Sequence, residues 1–125
     1  MNHYSAHACI FVVDDNRDLA EMLTLLLQID GYRVHTLFNG TSALDAAPAL
    51  HPAAGILDID MPGMNGLELA RGMRSALPAA LLLAYTAREG GTLDLARART
   101  AGFDHYLVKP VPIAVIERLL DTVCA

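Results

Sequence analysis

The sequence predicts a doubly wound α/β domain, built on a five-stranded parallel sheet with helices on both faces. Three observations predict it. Short continuous apolar runs recur, such as ACIFVV at 8–13 and AALLLAY at 79–85, of the kind that suits strands buried on both sides. Each run is followed by a segment with apolar residues at helical spacing, giving five alternations of strand then helix. The connections are of ordinary length, with no internal repeat, linker or low-complexity segment. Residues 1–125 therefore read as a single domain.

The elements follow in order. The first strand, Ala8 to Val13, ends at Asp14-Asp15-Asn16. Leu19, Met22, Leu23, Leu26 and Ile29 mark a helix that Gly31 stops, with Asp15 or Asn16 as its cap. Tyr32 to Leu37 is β-branched and aromatic enough for a second strand. Thr41 to Leu50 reads as a short helix, its end limited by Pro48. Gly55 to Leu57 is a third strand ending at Asp58. Asn65 and Glu68 have capping-box spacing, so a helix starts near Gly66 and runs to about Leu77, where Pro78 breaks it. Ala79 to Tyr85 is the fourth strand, ending at Thr86. Thr92 to Ala101 is a helix stopped by Gly102. Phe103 to Val108 is the fifth strand, ending at Lys109-Pro110. Pro112 suits a first helical position, and the last helix runs to about Val123.

Composition narrows the function. Hydrophobic residues make up 54% and charged residues 18%, too apolar for disorder. No apolar run reaches the roughly 18 residues of a membrane span, and Met1 to Ala8 lacks the pattern of a signal peptide. The expectation is a soluble, cytoplasmic protein. Nine cations against 14 anions, net −5, argue against direct nucleic-acid binding by this chain. Cys9 and Cys124 make no motif spacing and read as a buried small hydrophobe and a tail residue. Lys109 is the only lysine among the nine cations, which singles it out.

The chemistry lies at the carboxyl ends of the strands, where such folds bind ligands. Asp14-Asp15, Asp58, Thr86 and Lys109 end four different strands and converge on one rim if the sheet is parallel. Three neighbouring carboxylates repel one another and call for a compensating cation or a proton. A hard divalent ion with oxygen ligands fits, and Mg²⁺ in particular takes one or two carboxylates and accepts phosphate oxygens. A carboxylate nucleophile, a cation, a lysine and a hydroxyl suit phosphoryl transfer, with Asp58 as attacker and an aspartyl phosphate as product. Taken singly, each residue is also an ordinary turn residue, cap or surface charge; their joint placement carries the reading.

The chain resembles the receiver domain of two-component response regulators. FVVDDN at 11–16, LDIDMPGMNGLEL at 57–69, LLLAYTA at 81–87 and AGFDHYLVKP at 101–110 carry the resemblance, in the right order and over nearly the whole chain. It implies a flavodoxin-like (βα)5 fold with strand order 2-1-3-4-5. Asp58 would be the phosphoacceptor, with Mg²⁺ held by Asp15 directly, by Asp14 largely through water, by Asp58 and by the Asp60 backbone carbonyl. Thr86 would hydrogen-bond the phosphoryl group, Lys109 would pair with one of its oxygens across a cis Lys109-Pro110 bond, and Tyr106 would move with Thr86 as a switch. Asp60 and Arg88 occupy positions that tune phosphoryl lifetime, and a charge-assisted pair between them would shield Asp58 from water. Val111 departs from the family's usual Phe, and His51 to Gly55 lacks its usual acidic residue.

The resemblance implies a sensor histidine kinase or a histidine phosphotransfer protein as donor, and a downstream protein partner or output domain beyond this chain. It also implies dimerisation through helix four, strand five and helix five. The chain reads as a stand-alone regulator or as the receiver module of a hybrid sensor kinase. A different class is a haloacid-dehalogenase-like phosphatase, since Asp58-Ile-Asp60 is an Asp-x-Asp after a strand; that motif belongs after a first strand, and Pro62 interrupts its pattern. A flavin-binding module is disfavoured because Asp14-Asp15 would repel a phosphate in the first loop.

Overall fold

A computed structural model describes residues 9–87 and 92–124. The elements are β1 (Ile10–Val13), α1 (Arg17–Ile29), β2 (Val34–Leu37), α2 (Gly40–Leu50), β3 (Ala54–Leu57), α3 (Gly66–Ala76), β4 (Leu81–Thr86), α4 (Thr92–Ala101), β5 (His105–Val108) and α5 (Ile113–Cys124). The five strands form one parallel sheet in the order β2-β1-β3-β4-β5, as the resemblance implied.

Side chains alternate across the sheet and build a core on each face. Phe11, Val13, Leu57, Leu82 and Ala84 face Leu69 and Met73 of α3. Ile10, Val12, Ile56 and Leu83 face Leu27 of α1 and Ile116 and Leu120 of α5. The register sets Val13 beside Leu57 and Leu57 beside Ala84. The next residues along, including Asp14 and Asp58, therefore meet at one edge.

Four of the five expected strands start before the observed ones, while the third, expected from Gly55, starts at Ala54. Cys9, Tyr32, Ala80 and Phe103 are buried without belonging to a strand, because burial alone makes a residue look strand-like in an apolar run. Residue 8 lies outside the described residues. The second helix ends at Leu50 as expected, with Pro48 in its last turn, and closes at His51 in the left-handed conformation, φ 49°, with His51 N–H donating to Ala47 O. Pro48 has no N–H, so the carbonyl four residues before it goes without its helical donor. Pro112 sits one residue before α5, its carbonyl accepting the first helical bond from Ile116 at 3.5 Å. Cys124 is no tail residue: it is 1% exposed and packs with Leu120 against the α5 side of the sheet.

Candidate functional site

Each acidic residue of the site is placed by a strand end. Asp58 N–H donates to Val13 O at 2.9 Å, which ties the end of β3 to the end of β1. Asp14 N–H donates to Leu37 O at 3.2 Å, tying β1 to β2. Asn16 caps α1 by accepting from Leu19 N–H, and its own N–H donates to Asp14 Oδ1 at 3.0 Å. Asp15, between them, is left exposed at the rim. The result is a cluster of Asp14, Asp15 and Asp58 with one carboxylate oxygen from each lying within 4.8 Å of the others.

Asp14 is 4% exposed and Asp58 8%. Burial, then the Asp14 charge beside it, pushes the Asp58 carboxyl up to about 6, against the pull of Lys109 and of the Asp60 N–H that it accepts. Lys109 Nζ donates to Asp14 Oδ2 at 2.7 Å, both side chains being largely buried. One lysine does not balance three carboxylates, and the raised Asp58 carboxyl reflects that shortfall. An all-oxygen donor set with spacings this short needs little adjustment to meet a cation that binds at about 2.1 Å. The residues fit Mg²⁺.

Thr86 is fully buried at the end of β4, and Lys109 N–H donates to Thr86 O at 2.8 Å. The Lys109-Pro110 bond is cis. Tyr106 is half-buried on β5 and packs against the α3 and α4 side of the core. Asp60 is exposed, and its backbone N–H is aimed at the Asp58 carboxylate. Arg88, and with it the pair expected with Asp60, lies outside the described residues.

The loop from Asp58 to α3 is fastened by a capping box, in which Asn65 and Glu68 exchange side-chain and backbone bonds. Gly66 is there for space. A Cβ on it would lie 2.2 Å from Asp58 O and 2.6 Å from Ile59 Cα, so any side chain displaces the backbone that carries Asp58. Gly66→Ala is expected to cost about 2 kcal/mol, the scale of an overpacked core, and to disturb the site before it unfolds the fold. Urea unfolding and Mg²⁺ titration of the variant check both parts.

Sequence reasoning missed two features. Arg74 on α3 binds the turn before β4 through Pro78 O and Ala80 O and the turn before β5 through Gly102 O and Asp104. Tyr85, one residue before Thr86, sets its ring 5.1 Å from Lys109 Nζ. The only sequence signal for the second was an aromatic next to a strand-end hydroxyl, on the face opposite to it.

The profile of the response regulator receiver domain matches residues 10–121. The DNA-binding response regulator MtrA of Mycobacterium tuberculosis is 40% identical over 103 residues, 81% of this chain and 43% of MtrA. The probable transcriptional regulatory protein TcrX of the same organism is 36% identical over 104 residues, 83% of this chain and 44% of TcrX. The chain spans less than half the length of these curated relatives. The chemotaxis protein CheY4 of Vibrio cholerae superposes with a TM-score of 0.85 at 29% identity, covering 93% of this chain and 98% of that one. A response regulator protein from Burkholderia pseudomallei superposes with a TM-score of 0.83 at 28% identity, covering 90% and 66% of the two chains. That structure holds a phosphorylated aspartic acid and a calcium ion.

Proposed function

Because this chain belongs to the response regulator receiver domain family, we propose that its phosphoryl switch is built on Asp58 as acceptor, with Asp14 and Asp15 as the divalent-cation site. The observation that carries the proposal is the proton-hungry Asp58 carboxyl, buried beside Asp14 and within reach of a lone lysine. The phosphorylated aspartate and the calcium ion of the Burkholderia pseudomallei protein support it. Mg²⁺, held by Asp14, Asp15, Asp58 and the Asp60 carbonyl, would supply charge neutralisation at the phosphoryl oxygens.

The chain's own groups do the rest. An Asp58 carboxylate oxygen attacks phosphorus as the bond from phosphorus to the donor's imidazole nitrogen breaks, and the imidazole leaves with the electron pair. Lys109 turns from Asp14 to a phosphoryl oxygen, and the Thr86 hydroxyl donates to another. The end of β4 moves with Thr86, Tyr106 repacks on β5, and the surface of α4, β5 and α5 changes for a partner. Asp60 and Arg88 set how long the phosphoryl group lasts.

The donor is a histidine kinase or a histidine phosphotransfer protein. Beyond accepting and losing its own phosphoryl group, the domain turns over no substrate. Residues 1–125 act as one receiver through protein contacts in the cytoplasm, and no helix among the described residues is long and apolar enough to cross a membrane. The greater length of MtrA and TcrX supports a second reading, in which this segment is the receiver of a longer regulator with its own output domain. The phosphatase alternative on Asp58-Ile-Asp60 is not favoured, since the family match and the position of the motif after the third strand both point to a receiver.

The chain has no Trp, so intact mass is the readout of choice. Incubation with Mg²⁺ and acetyl phosphate is expected to add one phosphoryl group, absent in Asp58→Asn and without Mg²⁺. An adduct that survives in Asp58→Asn would overturn the assignment.

A further inference from the structure

Lys109 is held from two sides. Its ammonium donates to Asp14 at 2.7 Å on the rim side and faces the Tyr85 ring at 5.1 Å on the other. Adjacent residues of a strand point to opposite faces of the sheet. Thr86 belongs to the β4 end at the site, while Tyr85 packs into the core that faces α1 and α5. Tyr85, Leu23 of α1, Val111 and Ile113 wall the cleft in which Lys109 lies. The lysine side chain is 14% exposed, so its ammonium has given up most of its water. A desolvated cation over an aromatic face is stabilised by the ring quadrupole, and more strongly than an exposed one.

A lysine stem has many rotamers to lose when its ammonium is held in one place. In the proposed reaction Lys109 must release Asp14 and meet a phosphoryl oxygen. Between those partners its hydrogen bond to Asp14 is gone, and the Tyr85 ring still favours the ammonium's place at the rim. We propose that Tyr85 is a positioning residue for phosphoryl transfer, its ring keeping the Lys109 ammonium at the acceptor while Lys109 changes partners. This rests on the phosphoacceptor reading of Asp58 and adds to it a role for a residue that touches none of the reacting atoms.

Lys109 is the only lysine of the chain, so lysine-selective ¹³C labelling reports its ε-methylene as a single signal. Ring current is expected to move that signal upfield in the parent protein and in Tyr85→Phe, and to leave it near the free-lysine position in Tyr85→Leu. In the same samples, the rate of phosphorylation by acetyl phosphate at saturating Mg²⁺ is expected to fall about 3- to 30-fold in Tyr85→Leu, the range a cation–π contact spans. Tyr85→Phe is expected to stay within about twofold of the parent, because it keeps the ring. A core-filling role alone would spare the rate in any variant that melts like the parent. An unmoved lysine signal in Tyr85→Leu overturns the proposal, as does a moved signal with an unchanged rate. Equal slowing in Phe and Leu would transfer the role from ring to hydroxyl and likewise overturn it. A parent protein with the shifted signal but no adduct sinks the phosphoacceptor reading itself, and the positioning role with it, while the contact stands.

Discussion

Asp58→Asn is expected to stabilise the metal-free protein by on the order of 2–3 kcal/mol at pH 7.5. The buried Asp58 carboxyl is pushed up to about 6, against 3.8 for an ordinary Asp. The folded state therefore holds its proton more tightly than the unfolded chain does. As pH rises from about 4 to about 6, the unfolded chain gives up the proton first, and stability falls across that window. Above it the full cost of an ionised, buried Asp58 beside Asp14 is present. Asn has the same shape. Its oxygen still accepts from Asp60 N–H, at no charge cost.

The gain should shrink as pH falls and vanish near pH 4. A slope of the same sign, between about pH 4.5 and pH 7, remains in the variant from Glu117, whose carboxyl is pushed up to about 7 by burial and by its hydrogen bond to Asp30. Mg²⁺ should stabilise the parent more than the variant, because ligand that binds only the folded state adds stability by mass action. Urea unfolding followed by circular dichroism, in EDTA and then in Mg²⁺ across this pH range, measures all three trends. A variant no more stable than the parent at pH 7.5, or a gap that ignores pH, would contradict the electrostatic account of the site.

Arg74→Ala is expected to cost about 3 kcal/mol, and Arg74→Lys to recover only part of it. The exposed ion pair with Asp104 at 2.9 Å is the smaller part of this. The larger part is the three backbone carbonyls the guanidinium serves: Gly102 O at 2.6 Å, Pro78 O at 2.9 Å and Ala80 O at 2.6 Å. These belong to the turn after α3 and the turn after α4, and one planar fork reaches both. Asp104 in turn accepts Leu82 N–H at 2.8 Å, so the network also closes the start of β4. Gly102, at φ 115°, brings the second turn close enough that a Cβ there would sit 3.1 Å from Arg74 Cβ. A lysine carries the charge without the fork and cannot serve both turns. A double-mutant cycle with Asp104→Ala separates the ion pair from the carbonyl bonds. A loss under about 1 kcal/mol in Arg74→Ala would show that these turns hold without it.

The outline of the fold was legible because its signals are local. Apolar runs marked the strands, and Gly31, Gly102 and the Asn65–Glu68 pair marked helix ends where the structure has them. What sequence reading blurred were the edges. Cys9, Tyr32, Ala80 and Phe103 are buried like strand residues but belong to no strand, since hydropathy reports burial and not ladder bonding.

The site divides the same way. Asp14, Asp15, Asp58, Thr86 and Lys109 could be read from the sequence, because parallel strands end on one side and a strand-end residue needs no further information to be placed there. Their relations could not. That Lys109 rests on Asp14, that the Asp58 carboxyl is pushed above the usual carboxylate range, and that the Tyr85 ring and the Arg74 fork hold pieces far apart in the chain all depend on which strands are neighbours and on what burial removes from water. The sequence by itself determined which groups reach the rim. Only the tertiary structure decided their distances, partners and charge states, because those are properties of packing between segments that local pattern does not encode.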